Sequence, residues 1–113
     1  MAETDKALVE TARAVLVALE ESRSAMAASA DLMKRYIEGL EAGEDVVEIV
    51  RSNPVGKVRT WGVVADAALA DARTRFRVKI IEACVTAGMS QKEIASNMKS
   101  SRQLVARYIK KPE

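Results

Sequence analysis

Gly88-Met89-Ser90-Gln91-Lys92-Glu93-Ile94-Ala95-Ser96-Asn97-Met98-Lys99-Ser100-Ser101-Arg102-Gln103-Leu104-Val105-Ala106-Arg107-Tyr108-Ile109 is the stretch on which the fold turns. Gly88 closes a preceding helix as a C-terminal glycine cap does. Ser90 and Glu93 stand at capping-box spacing, in which the serine hydroxyl accepts from the amide of Glu93 and the carboxylate reaches back. Ile94 and Ala95 fall on the inner face of a short helix ending near Asn97, and Met98-Lys99-Ser100 makes a tight connection. Ser100 and Gln103 repeat the cap spacing, and Leu104, Val105, Tyr108 and Ile109 supply the apolar contacts of a second short helix. Lys110-Lys111-Pro112 ends it, with cations where the helix dipole favours them.

Upstream, Val63 to Ala87 reads as a longer helix with Leu69, Ala72, Phe76, Ile80, Ala83 and Ala87 on one face. Arg75-Phe76-Arg77-Val78-Lys79-Ile80 alternates like a strand, but its alanine-rich flanks lack turn signals, so helix prevails. Arg73 and Arg77 border one edge of the apolar stripe and Arg75 and Lys79 the other, so these four cations do not make one patch. Ser52-Asn53-Pro54-Val55-Gly56 is a turn signal, since Pro54 disfavours a helical Asn53.

Two capped short helices joined by a three-residue turn, after a longer helix, resemble the helix-turn-helix DNA-binding superfamily. The resemblance covers Gln91–Ile109 and, more loosely, the preceding helix from about Arg75. Ile94-Ala95 matches the family's apolar-small pair where the helices cross, Met98 the apolar residue before the turn, and Val105 and Tyr108 the buried face of the recognition helix. Lys99 departs from it by standing where glycine is common, which costs about 1 kcal/mol if its φ is positive. Ser100 departs too, at a place often apolar. What the resemblance implies is docking of the second helix in the major groove, with Ser101, Arg102, Gln103, Ala106 and Arg107 facing the bases. Arginine can contact guanine and glutamine adenine in bidentate fashion. Lys92, Lys99, Lys110 and Lys111 suit phosphate contacts, as flexible ammoniums that read charge rather than sequence.

From about Thr4 to Leu40 there is no proline, and the first glycine is Gly39. Apolar or small residues recur there in alternating steps of four and three: Leu8, Ala12, Val15, Leu19, Ser22, Met26, Ser29, Met33, Tyr36 and Leu40. This heptad stripe predicts a long amphipathic helix, or a helical hairpin broken near Ser22–Ser29. Unbroken, it would run about 55 Å, longer than a small domain can cover, so its stripe calls for a second chain. Leu8, Val15, Leu19, Met26, Met33, Tyr36 and Leu40 are accordingly the candidate dimerisation residues. Gly39 and Gly43 are read as its end, and Asp45–Arg51 as a short second helix.

The whole chain has 113 residues with a net charge of +2, but the charge is divided. Residues 1–50 hold five basic and eleven acidic residues, and residues 51–113 thirteen and five. Such asymmetry suits an acidic half that avoids polyanions and a basic half that seeks them. The organisation expected is all-α: residues 1–52 an acidic helical dimerisation region, 53–62 a basic linker, and 63–113 a helix-turn-helix domain. Lys57 and Arg59 on the linker join the candidate phosphate contacts, since a basic arm can enter the minor groove or follow the backbone. Trp61 is read as a core plug against the following helix, and Cys84 as a small buried hydrophobe.

The absences are informative. With no histidine there is no Ser-His-Asp relay and no His-ligated metal, and one cysteine makes neither an internal disulfide nor a multi-thiolate zinc site. No cofactor, metal or catalytic residue is expected, and no uncharged run reaches membrane-span length. A cytoplasmic, nucleoid-associated, dimeric regulator of transcription that binds specific double-stranded DNA is the leading expectation. Its rivals are a non-specific nucleoid-associated protein and a protein–protein adaptor, with an enzyme last. Dimerisation would set two recognition helices about 34 Å apart on an inverted repeat.

Overall fold

The computed structural model describes residues 2–99 and 102–109, without the side chains of Arg102, Leu104, Tyr108 and Ile109. The described residues form five helices and no strand: α1 (Glu3–Glu41), α2 (Val46–Ser52), α3 (Val55–Thr86), α4 (Gln91–Met98) and α5 (Arg102–Ile109). The chain is all-α, as its sequence predicts. It divides into two compact units, Leu16–Ala70 and Met1–Val15 with Asp71–Glu113.

α1 runs unbroken through Ser22–Ser29, so the long helix is realised and the hairpin is not. Nothing in that stretch breaks a helix, and its small residues have a packing role. Within the Leu16–Ala70 unit the inward positions of α1 are Ala18, Ser22, Ala25, Ser29, Leu32, Tyr36 and Gly39, in steps of four and three. α3 answers with Val58, Gly62, Ala65 and Leu69. Ser22 Oγ lies 3.5 Å from the carbonyl oxygen of Ala65, and Trp61 Nε1 donates to Glu21 Oε1 at 2.6 Å. Further along, Ser29, Leu32 and Met33 share a groove with Val55, Val58 and Arg59. Rising numbers on α1 thus meet falling numbers on α3, an antiparallel pair. Alanine and serine dominate its centre, which lets a hydroxyl approach a main-chain carbonyl of the neighbouring helix.

α1 ends at Gly43, whose φ of 81° lets Gly43 N–H reach Leu40 O and Glu44 N–H reach Gly39 O, a Schellman motif. Gly39, read as part of that ending, is instead inside the helix. A Cβ there would lie 2.9 Å from Cδ1 of the buried Ile49, so the glycine makes room for α2. The corner after α2 is held by Asn53. Its Oδ1 accepts from Arg35 Nε at 2.7 Å, its carbonyl accepts from the Tyr36 hydroxyl at 2.7 Å, and its Nδ2 donates to Ile49 O at 3.1 Å.

Residues 53–62, read as a linker, are helical from Val55 onward, so α3 starts eight residues before the expected Val63. Pro54 directly precedes its first residue, where a missing N–H costs nothing because the first amides of a helix have no partner in the helix. Trp61 is not a core plug. It stays 36% exposed on α3, with its indole nitrogen held by Glu21.

In the other unit, the deepest side chains are Ile81, Ile94, Ala95 and Val105, joining α3, α4 and α5 in one cluster. Ile80, Cys84, Met89 and Met98 are partly buried around it. Ile81, 1% exposed, lies off the face that the sequence periodicity predicts to be buried. Phe76, Ile80 and Ala83 of that face are half-buried and Ala87 is exposed, because α4 and α5 close over the side that carries Ile81.

Candidate nucleic-acid interface

The helix pair begins at the end of α3. Gly88, with φ 96°, takes the left-handed position; its N–H bonds Val85 O and the next amide, Met89, bonds Cys84 O, both at 3.0 Å. This Schellman ending folds Met89 back towards Cys84, and both side chains pack on the Ile81 cluster. Two residues later Ser90 has the extended backbone of an N-cap, and its Oγ accepts from Glu93 N–H at 3.1 Å. The serine half of the predicted capping box is therefore present, and it fixes where α4 starts.

α4 ends at Lys99, whose φ of 50° and ψ of 46° are left-handed, and whose N–H bonds back to Ala95 and Ser96 carbonyls. Lys99 is the one non-glycine residue with positive φ among the described residues. The chain turns here, and α5 packs on α4 through Val105 against Ile94 and Ala95; Val105 is wholly buried. With Val105 turned inward, Gln103 and Arg107 are exposed one helical turn apart, and Ala106 is half-buried beside them. Lys92 and Lys99 are exposed as well. Arg102 is the first residue of α5. Ser101, Lys110 and Lys111 lie outside the described residues.

Two further expectations fall elsewhere. Lys57 and Arg59 belong to the Leu16–Ala70 unit, on the first turns of α3, and not to the unit that holds α4 and α5. Of the cations on the second half of α3, Arg75 pairs with Asp71 and Lys79 lies 3.4 Å from Glu82. Arg73 is exposed and Arg77 half-buried, with no ion pair to either among the described residues. Residues 71–109 carry eight basic and three acidic side chains, whereas residues 16–70 carry six and nine. Residues 1–15, which group with the second stretch, add two basic and three acidic side chains, so the turn at Asn53 divides the charge more sharply than the compact units do.

The candidate dimerisation residues also separate. Tyr36 is committed to Asn53, and Leu8 and Val15 are half-buried, while Leu19, Met26, Met33 and Leu40 are 40%, 66%, 46% and 51% exposed. Sequence reasoning missed this split, and missed Asn53 as a corner; the Asn-Pro signal marked the turn but not the partners.

Among the described residues no group of three or more His, Cys, Asp or Glu side chains could hold a metal ion, and no helix is long and apolar enough to cross a membrane. No protein-family model, no curated protein and no solved structure matches the chain.

Proposed function

We propose that the chain is a sequence-specific double-stranded DNA-binding regulator of transcription, a binding protein rather than a catalyst, acting as a dimer at the nucleoid in the cytoplasm. The observation that carries this reading is the pair α4–α5, locked by Ile81, Ile94, Ala95 and Val105 so that Gln103 and Arg107 share an outward face. In this reading α5 enters the major groove, where its width admits a helix. Ser101, Arg102, Gln103, Ala106 and Arg107 face base edges, while Lys92, Lys99, Lys110 and Lys111 neutralise phosphates. The first free amides of α5, with Ser101, suit a phosphate oxygen.

Selection of bound duplexes from a random library, at about 0.15 M salt where phosphate-driven attachment is weakened, tests it. An enriched inverted repeat is the expected result. Retention without an enriched motif would replace it by a non-specific architectural role, and no retention would leave α4–α5 as a protein-interaction module.

A further inference from the structure

α1 carries two seams, not one. Beside the inward seam of small residues runs an outward one in steps of three and four: Leu16, Leu19, Arg23, Met26, Ala30, Met33, Ile37 and Leu40, every residue exposed. Its six large apolar side chains range from 40% to 66% exposed. At roughly 200 Å² for a fully exposed residue of that size, they leave about 600 Å² uncovered per chain, a patch of the size that marks an interaction site. Two copies burying it together would hide about 1,200 Å², the threshold of a specific stable interface.

The charges flanking this seam say what covers it and in which direction. Along one edge, seven residues apart, stand Glu20, Ala27, Lys34 and Glu41, preceded by Arg13. Reversed about Ala27 the column is its own complement: Glu20 meets Lys34, and Arg13 meets Glu41. Glu20 and Lys34 are both exposed and make no ion pair within the chain among the described residues. Pairs along such an edge set partner choice and orientation in helix–helix association. The apolar layers of the same antiparallel pair are centred one residue further on, at position 28, and set Leu16 against the partner's Leu40, Leu19 against the partner's Ile37, and Arg23 against the partner's Met33. A parallel, in-register pair would instead bring Arg23 onto the partner's Arg23, like charges in the middle of an apolar seam.

We infer that the outward seam of α1 is a homodimer interface in which two copies of α1 pair antiparallel, with the two-fold axis beside Ala27. This deepens the dimeric reading above and rests on it only for the use of the dimer, because the test is made without DNA.

The test is sedimentation of the full chain at micromolar concentration. The wild type is expected to be a dimer. Glu20→Lys places lysine against the partner's Lys34, and Lys34→Glu places glutamate against the partner's Glu20; each change is expected to weaken the homodimer about tenfold. Mixing the two single variants should restore a heterodimer, and the double variant a homodimer, which also shows that the variants fold. Ala27→Cys, in a Cys84→Ser background, should be joined across the axis by a short bis-maleimide. A monomeric wild type, or a dimer indifferent to the swaps and not joined at residue 27, would overturn the inference while leaving base reading by α5 to the duplex selection.

Discussion

Ile49 of α2 sits over Gly39 of α1 so closely that a Cβ at position 39 would lie 2.9 Å from its Cδ1 and 3.2 Å from its Cγ1. The glycine therefore serves contact rather than helix termination, at the expense of helix propensity. Gly39→Ala gains up to about 1 kcal/mol in propensity, but overpacking against a 4% exposed isoleucine costs roughly 1–3 kcal/mol. The expected outcome is a net loss of stability in urea unfolding. Ile49→Val removes Cδ1, so its cost should be smaller in the Gly39→Ala background than in the wild type. Additive effects would contradict the contact.

Lys99 holds a left-handed conformation with φ 50°. Relief of about 1–2 kcal/mol of backbone strain, against the greater unfolded-chain entropy of glycine at about 0.4–1 kcal/mol, makes Lys99→Gly stabilising by about 0.5 kcal/mol. Lys99→Val should destabilise, because a β-branched side chain tolerates this region worst. Thermal unfolding of the two variants in opposite directions is the expected pattern.

Asn53 joins α1 to the α2–α3 corner through separate atoms, its carbonyl taking the Tyr36 hydroxyl and its side chain bonding Arg35 and the Ile49 carbonyl. Tyr36→Phe and Asn53→Ala should each cost about 1 kcal/mol. Because Asn53→Ala leaves the main-chain carbonyl in place, the double variant should show nearly the sum. Strong coupling in the cycle would mean that the corner moves as one body.

For the DNA-binding proposal, Arg102→Ala and Arg107→Ala are expected to cost about 1–3 kcal/mol on the preferred duplex and to relax the preference at one base pair each. Lys92→Ala should weaken all duplexes alike and lower the salt dependence by about one counterion. Equal effects of the three changes on every duplex, in titrations across salt, would defeat the assignment of the arginines to bases.

Much of this protein is legible in its local chemistry. Ser90 and Glu93 at capping spacing, Gly88 and Gly43 at helix ends, and the long run without proline before Gly39 each act within a few residues, so they mark α4, α3 and α1 without reference to anything distant. Pro54 marked the corner equally well, yet the stretch after it looked like a linker because Gly56 and Gly62 weaken a helix by propensity alone. Val58, Ala65 and Leu69 pack inward on either side of Gly62, and that packing outweighs propensity.

The sequence by itself determined the all-α class, the helix boundaries at Gly43, Gly88 and Ser90, and the inward turn of Ile94, Ala95 and Val105, because caps, breakers and short-range periodicity are local. Only the tertiary structure decided which of two interleaved heptad seams on α1 turns inward. Ser22, Ser29 and Tyr36 alternate with Met26, Met33 and Leu40 at spacings that a periodicity cannot separate. The choice was made by closeness of approach: small residues let α3 come near enough for Ser22 Oγ to reach Ala65 O, and the large side chains were left outside.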